Sequence, residues 1–275
     1  MAYTYCFTIH GTRGSFPACG KQFLRHGGQT TCFSLRTPAG LLVFDAGTGM
    51  ADAGKPLRGA PTLPTTMFFT HFHLDHVIGL PAFAPLYDPR AKINIMADAR
   101  RYPRWRVALR RLAGRPYWPV DLEKCGGCLR WRDLPAAGRL SLYGVKISWC
   151  PVRHPQPCLA YRLDTPARAI VIATDYEPGD AAGDARFLQF CRQADVLIFD
   201  AQFTPREYPR YRGWGHGVWT QGVLIARAAG IRQLILTHHA PGRTDRQIDA
   251  IARAARRAFP GARAAHDGMT WRWQA

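Results

Sequence analysis

Six consecutive residues, His71-Phe72-His73-Leu74-Asp75-His76, hold four side chains able to bind a metal ion, interleaved with two bulky apolar ones. A lone histidine is an ordinary surface or core residue. Three histidines and an aspartate in six positions are a metal-ligand constellation. The stretch follows the apolar run Met67-Phe68-Phe69-Thr70, which reads as a buried strand, and precedes Val77-Ile78-Gly79-Leu80, which reads as a helix start. In extended chain, residues i and i+2 face the same side, so His71 and His73 can meet one ion while Phe72 packs inward. As the chain turns into the helix, Asp75 and His76 swing towards a second ion beside the first.

The surrounding elements are legible from their patterns. Residues 5–9 read as a strand entering the glycine-bearing loop Gly11-Thr12-Arg13-Gly14-Ser15. Residues 32–35 and 41–45 flank a Pro-Ala-Gly turn as a hairpin. Further strands are predicted at 92–96, 129–134, 140–142, 145–152, 159–163, 169–173, 196–200 and 234–239, with a short strand pair around Asp267-Gly268. Helices are predicted at 101–112, 184–192, 221–229 and 244–259. Apolar strands repeatedly end in a histidine or an aspartate: His71, His154, Asp175, Asp200 and His238. Each alone reads as a turn residue. Together they imply convergence at one end of a sheet, where enzyme sites are built. No linker separates two cores, so one domain is expected over residues 1–275.

With 47% hydrophobic and 20% charged residues in 275, the chain is globular and not disordered. No apolar stretch approaches the length of a membrane span. The opening Met1-Ala2-Tyr3-Thr4-Tyr5 lacks the basic-then-apolar pattern of an export signal, so a cytoplasmic protein with reduced thiols is expected. Of eight cysteines, Cys125 and Cys128 alone form a close pair; Gly126-Gly127 between them reads first as a tight turn, with structural zinc or redox chemistry as the alternative. The formal charge of +18 fits attraction to nucleotides or RNA, or an arginine-rich background. Arg100, Arg101, Arg104, Arg106, Arg110, Arg111 and Arg115 are the densest run, read either as a ligand contact or as a solvated helix face. Tyr117, Trp118, Trp214 and Trp219 are read either as base-stacking or as core residues. Homo-oligomer formation is compatible with the sequence.

The series His-x-His-x-Asp-His, then His154, Asp175 and His238 after successive strands, resembles the metallo-β-lactamase fold superfamily over nearly the whole chain. The resemblance implies an α/β (α+β) four-layer αββα sandwich with the site between the two sheets at one edge. It further implies that His71, His73 and His154 hold one metal, that Asp75, His76 and His238 hold the other, and that Asp175 bridges them. Within the superfamily, Asp200-Ala201-Gln202-Phe203-Thr204, Gly215-His216-Gly217 and Leu236-Thr237-His238 look like the phosphodiesterase branch, which includes cyclic nucleotide phosphodiesterases and RNase Z-like endonucleases. Asp200 stands where the nuclease usually has Glu, Gly217 where it often has Ser, and no long Gly- and Lys-rich arm is present.

The expected enzyme is therefore a metal-dependent phosphodiesterase acting on a cyclic nucleotide or related small phosphodiester. A tRNA 3′-end-processing endonuclease is the first alternative, and a basic nucleic-acid-binding protein with structural metals the second. Two divalent ions would lower the pKa of a bridging water and clamp the phosphate. Zinc is the default for imidazole ligands, and manganese or iron also fit. Asp75 would both ligate and orient the nucleophile. Asp45 is read either as acceptor of a ligand histidine's second N–H or as a turn and cap residue. His216, oriented by Asp200, is read as general acid or as a helix cap. His239, beside a ligand, would either contact phosphate or point away, because strand neighbours alternate.

Overall fold

The computed structural model describes residues 4–55 and 63–274. Its first sheet contains β1 (Thr4–Gly11), β2 (Cys32–Arg36), β3 (Leu41–Phe44), β4 (Thr65–Phe68), β5 (Lys92–Ala97) and β6 (Cys128–Asp133) in spatial order. The second runs β7 (Arg139–Leu142), β8 (Val145–Val152), β9 (Cys158–Asp164), β10 (Ala169–Ala173), β11 (Val196–Asp200), β12 (Gln233–Thr237) and β13 (Ala262–Ala264). The last strand, β14 (Met269–Gln274), returns to pair antiparallel with β1. In each sheet antiparallel pairs give way to parallel ones, at β3–β4 in the first and β10–β11 in the second.

Residues along the strands alternate between two apolar environments. Leu42, Phe44 and Phe68 of the first sheet meet Tyr161, Ile170, Ile172, Val196 and Ile198 of the second in a shared core. Leu41, Val43 and Met67 face outwards to pack under α1 (Met50–Ala53), α2 (Trp105–Leu112) and a series of 3-10 turns. Val171, Leu197, Phe199, Leu234 and Leu236 face outwards beneath α3 (Ala181–Cys191), α5 (Trp219–Ala229) and α6 (Asp245–Ala258); the four-residue α4 (Tyr208–Tyr211) lies in the loop before α5. Strands covered on both faces read as continuous apolar runs, which is why they are conspicuous in the sequence. The result is the four-layer αββα sandwich.

Three local expectations change. After β4 no α-helix forms at 77–80; the chain makes 3-10 turns at Leu74–His76, Leu80–Ala82 and Ala84–Tyr87. Pro81 and Pro85 lack the N–H groups a helix would need. The segment is also pinned from β3's exit loop: Ala46 N–H donates to His76 O at 2.7 Å and Gly79 N–H to Ala46 O at 2.8 Å. The helix expected from 101 begins at Trp105, because Pro103 disfavours helical geometry at Tyr102 and Asp98 binds the backbone N–H of Arg100. The strands flanking Asp267-Gly268 do not pair with each other: β13 joins β12 and β14 joins β1, in different sheets. Asp267 ties that crossing to the first loop, accepting from Gln29 N–H at 2.9 Å and the Thr12 hydroxyl at 3.0 Å. Four arginines of the dense run make local ion pairs: Arg100 and Arg101 with Asp98, Arg106 with Asp133, and Arg110 with Glu123. Cys125 is buried, Cys128 is exposed, and both are free thiols.

Tyr161 joins the core to the start of the site. Its buried ring lies 5.2 Å from Phe44 and 5.8 Å from Phe68, and its hydroxyl donates to Phe69 O at 2.8 Å, just before the histidine segment. Tyr161→Phe is expected to lower unfolding free energy by about 1–2 kcal/mol, because it leaves a buried carbonyl without its donor; urea denaturation measures this, and an unchanged midpoint would count against it.

Candidate metal centre

Three side chains of the cluster leave strand ends through left-handed backbone: Asp45 at φ 59°, Asp175 at φ 58° and His238 at φ 57°. Such conformations cost free energy outside glycine and persist where the surroundings over-determine them. Here each redirects a side chain across the end of its strand. His154 arrives after β8, while His71, His73, Asp75 and His76 come from the turn after β4.

Four of these side chains converge tightly. His76 Nε2 lies 3.3 Å from His238 Nε2, 3.2 Å from Asp75 Oδ2 and 3.0 Å from Asp175 Oδ2. His238 Nε2 is 3.3 Å from Asp75 Oδ2 and 3.2 Å from the same Asp175 oxygen. Ligands held about 2.0–2.1 Å from a tetrahedral zinc ion are separated by about 3.3 Å, so Asp75, His76 and His238 are spaced to hold one cation of that kind. A second group adjoins it. His73 Nδ1 and His154 Nε2 are 3.1 Å apart, and the Nε2 atoms of His71 and His154 each lie 3.9 Å from Asp175 Oδ1. Asp175 thus turns one oxygen to each group.

Proton positions follow from the neighbours. Asp45, fully buried, accepts from Thr70 N–H and from the Thr70 hydroxyl, both at 2.8 Å, and from His76 Nδ1 at 2.9 Å. Having given its proton to Asp45, the Thr70 oxygen accepts from His71 Nδ1 at 3.0 Å. With Nδ1 committed in this way both imidazoles turn Nε2 inwards, and His71 Nε2 is buried with no hydrogen-bond partner. His154 Nδ1 donates to Gly215 O at 2.9 Å, which likewise leaves its Nε2 for the centre. Burial lowers the His71 pKa well below the ordinary imidazole value. Burial also opposes charge on His76, yet Asp75, Asp175 and Asp45 hold its pKa well above that value. His238 is treated similarly: burial lowers its pKa, but Asp175 and Asp200 carry it up to about 9. The carboxylates create a demand for positive charge between them, which a divalent cation meets.

Asp200 accepts from Asp175 N–H at 3.0 Å and from His216 Nδ1 at 3.0 Å, and its Oδ2 is 3.4 Å from His238 Nδ1. His216 also lies 3.6 Å from Asp175 Oδ1. All the expected residues meet except His239. Its ring turns away to pack edge-on against His26 at 5.9 Å, and its pKa is depressed by burial, Arg13 and His26. His239 serves instead through its backbone, accepting from Gly14 N–H at 3.0 Å.

Several contributors carry no sequence signal of their own. Ser15 N–H, in the loop after β1, donates to Asp75 Oδ2 at 2.7 Å. Gly14 is required there because a Cβ would overlap the His238 ring. Arg13, fully buried, fastens that loop through the carbonyls of Gly27 at 2.8 Å and Arg243 at 2.6 Å. Glu177 accepts from Gly213 N–H at 2.7 Å, Gly215 N–H at 2.9 Å and the Tyr208 hydroxyl at 2.8 Å, so one carboxylate shapes the loop bearing His216. The Gly215-His216-Gly217 loop is conspicuous in the sequence; Glu177 carries no comparable motif.

Residues 41–239 match the family model described as the beta-lactamase superfamily domain, a span that includes every converging histidine and aspartate from Asp45 to His238. The chain belongs to the beta-lactamase superfamily. Among curated superfamily relatives, Ribonuclease BN of Escherichia coli O1:K1 / APEC is 23% identical over 288 residues, spanning 84% of this chain and 88% of the relative. Among solved structures, the metallo-beta-lactamase fold protein YhfI from Bacillus subtilis superposes with a TM-score of 0.73 at 20% identity, covering 98% of this chain and 99% of that one. A diphosphatase from the PhnP family gives 0.71 at 18% identity, covering 100% and 99%. These likenesses establish the metallo-β-lactamase fold. Among the described residues, no helix is long and apolar enough to cross a membrane.

Metal uptake is testable without any substrate. A divalent ion at a hundredfold its dissociation constant is expected to raise stability by about 2.7 kcal/mol, reversibly by chelation. Asp175→Ala, which removes an oxygen from both groups, should abolish that response in calorimetric melts and lose bound metal in elemental analysis. A melting curve indifferent to metal and chelator in the unaltered protein would sink the assignment.

Proposed function

We propose that this protein is a binuclear metal-dependent hydrolase that cleaves a cyclic nucleotide or a related small phosphodiester. One observation carries the proposal: two adjacent donor groups share Asp175, and His76 and His238, 3.3 Å apart, each lie 3.0–3.3 Å from both Asp75 and Asp175. His71, His73 and His154 would hold one ion and Asp75, His76 and His238 the other, with Asp175 serving both. Two divalent ions, zinc by default and manganese or iron otherwise, supply Lewis acidity that activates water and offsets phosphoryl charge.

The chain's own groups do the rest. Asp45 engages Nδ1 of His76 directly and that of His71 through Thr70, which keeps their Nε2 atoms turned inwards for a cation. Ser15 N–H steadies Asp75, so that this carboxylate both ligates and orients the attacking water. His216 is the general acid: Asp200 engages its Nδ1 and orients the ring, leaving Nε2 to deliver a proton to the departing oxygen.

The ribonuclease name of the curated relative and the charge of +18 favour a second reading, an RNA 3′-processing nuclease. Initial rates on cyclic AMP, cyclic GMP and a 3′-extended tRNA precursor separate the two. Robust tRNA cleavage beside inert cyclic nucleotides would reverse the order. His216→Ala is expected to retain the full metal content and slow turnover by roughly two to four orders of magnitude. Single-turnover rates measured with metal analysis on the same sample check this; an unaltered rate removes His216 from the chemistry.

A further inference from the structure

Trp214 is 61% exposed, while the loop that carries it is fixed on both sides. It sits between two glycines, Gly213 at φ 89° and Gly215 at φ 88°, and the N–H groups of both donate to Glu177. Its ring meets Tyr211 edge-on at 5.2 Å; Tyr211 stacks on Phe203 at 4.7 Å with an interplanar angle of 5°; Phe203 meets the His216 ring at 5.8 Å. A ladder of rings therefore runs from the solvent-facing indole to the imidazole beside Asp175. Two residues along the chain place Trp214 within about 7 Å of His216, Cα to Cα. A second exposed aromatic, Phe16, also 61% exposed, follows Ser15 on the Asp75 side of the centre.

A large indole face left to water is unfavourable unless something covers it. Its place beside the centre restricts the occupant to part of whatever the centre binds. A flat, polar-edged ring suits the position: it gains from stacking while its edges stay hydrated. A chain of +18 favours anionic ligands carrying such a ring. We propose that Trp214 is the stacking platform for the nucleobase of the substrate, a specificity-determining residue that orders the nucleoside while the centre engages the phosphate. This rests on the phosphodiesterase reading above.

The experiment compares 3′,5′-cyclic AMP with the same cyclic phosphate lacking its base, each as its slowly hydrolysed phosphorothioate, titrated calorimetrically into the metal-loaded protein. In the unaltered protein the base is expected to tighten binding roughly tenfold to a hundredfold. Trp214→Ala should erase that preference and leave the base-free ligand's affinity unchanged; Trp214→Phe should restore most of it. Metal content and circular dichroism show whether each variant is folded. Equal affinity for the two ligands, failure to bind either, or a base preference that survives Trp214→Ala overturns the proposal. Turnover of the parent cyclic phosphates tests the hydrolase reading separately. Hydrolysis without base preference removes only the platform, and base-dependent binding without hydrolysis removes only the enzyme.

Discussion

The hydrogen bonds that Asp45 accepts decide which face of two imidazoles is left for a cation. Imidazole has two nitrogens, and a ligand set works only when each ring presents the unprotonated one. Asp45 takes a proton-bearing contact from His76 and another from Thr70, and Thr70 in turn accepts from His71. One buried carboxylate therefore sets two tautomers. The same contacts justify burying Asp45, whose pKa is raised by desolvation and pulled back by His76 and Thr70. Without those donors the carboxylate would be better protonated, and the orientation of both rings would lapse.

That arrangement demands exact placement of segments distant in sequence, and the sandwich provides it. β3, β4, β10, β11 and β12 end near one another because their apolar residues are committed to the inter-sheet core and to the covering helices. Slipping a strand by one residue would expose its core face, so register is strongly specified. The functional side chains then begin one or two residues beyond a fixed end. Left-handed conformations at Asp45, Asp175 and His238 are tolerated because the strands behind them cannot move to relieve them.

This division explains what was legible in the sequence. Strands β10 and β11 have their expected bounds because each is apolar on both faces and stops at a polar residue, and β8 because its inward residues alternate with Lys146 and Ser148 before the chain reaches Arg153. The histidine and aspartate positions stood out because several donor types in a short stretch, or at the ends of apolar runs, seldom occur without purpose. Less visible was anything that depended on backbone groups. Ser15 acts through its N–H, which every residue but proline carries. The 3-10 turns after β4 depend on loop-to-loop contacts with Ala46, a constraint absent from local periodicity. His239 was ambiguous for a related reason. It adjoins a ligand candidate, and only the direction of the left-handed turn at His238 shows which ring faces the centre.

Glu177 carries this logic from the centre to its rim. It stands two residues after Asp175 and does not approach the donor groups; its oxygens are occupied by the loop from Tyr208 to Gly215. Burial would raise its pKa, but the N–H donors of Gly213 and Gly215 hold it below the usual carboxylate range, so the charged form is the one that shapes the loop. The loop then delivers three groups at once: Gly215 O to the His154 ring, His216 towards Asp175, and the Trp214 indole to solvent. Gly215 must be glycine for this, since it combines positive φ with a position where a Cβ would overlap the His154 ring. A single strand exit thus fixes the shared carboxylate and, two residues later, the loop that faces it. One short stretch of backbone therefore sets both the placement of the donor groups and that of the loop carrying Trp214 and His216.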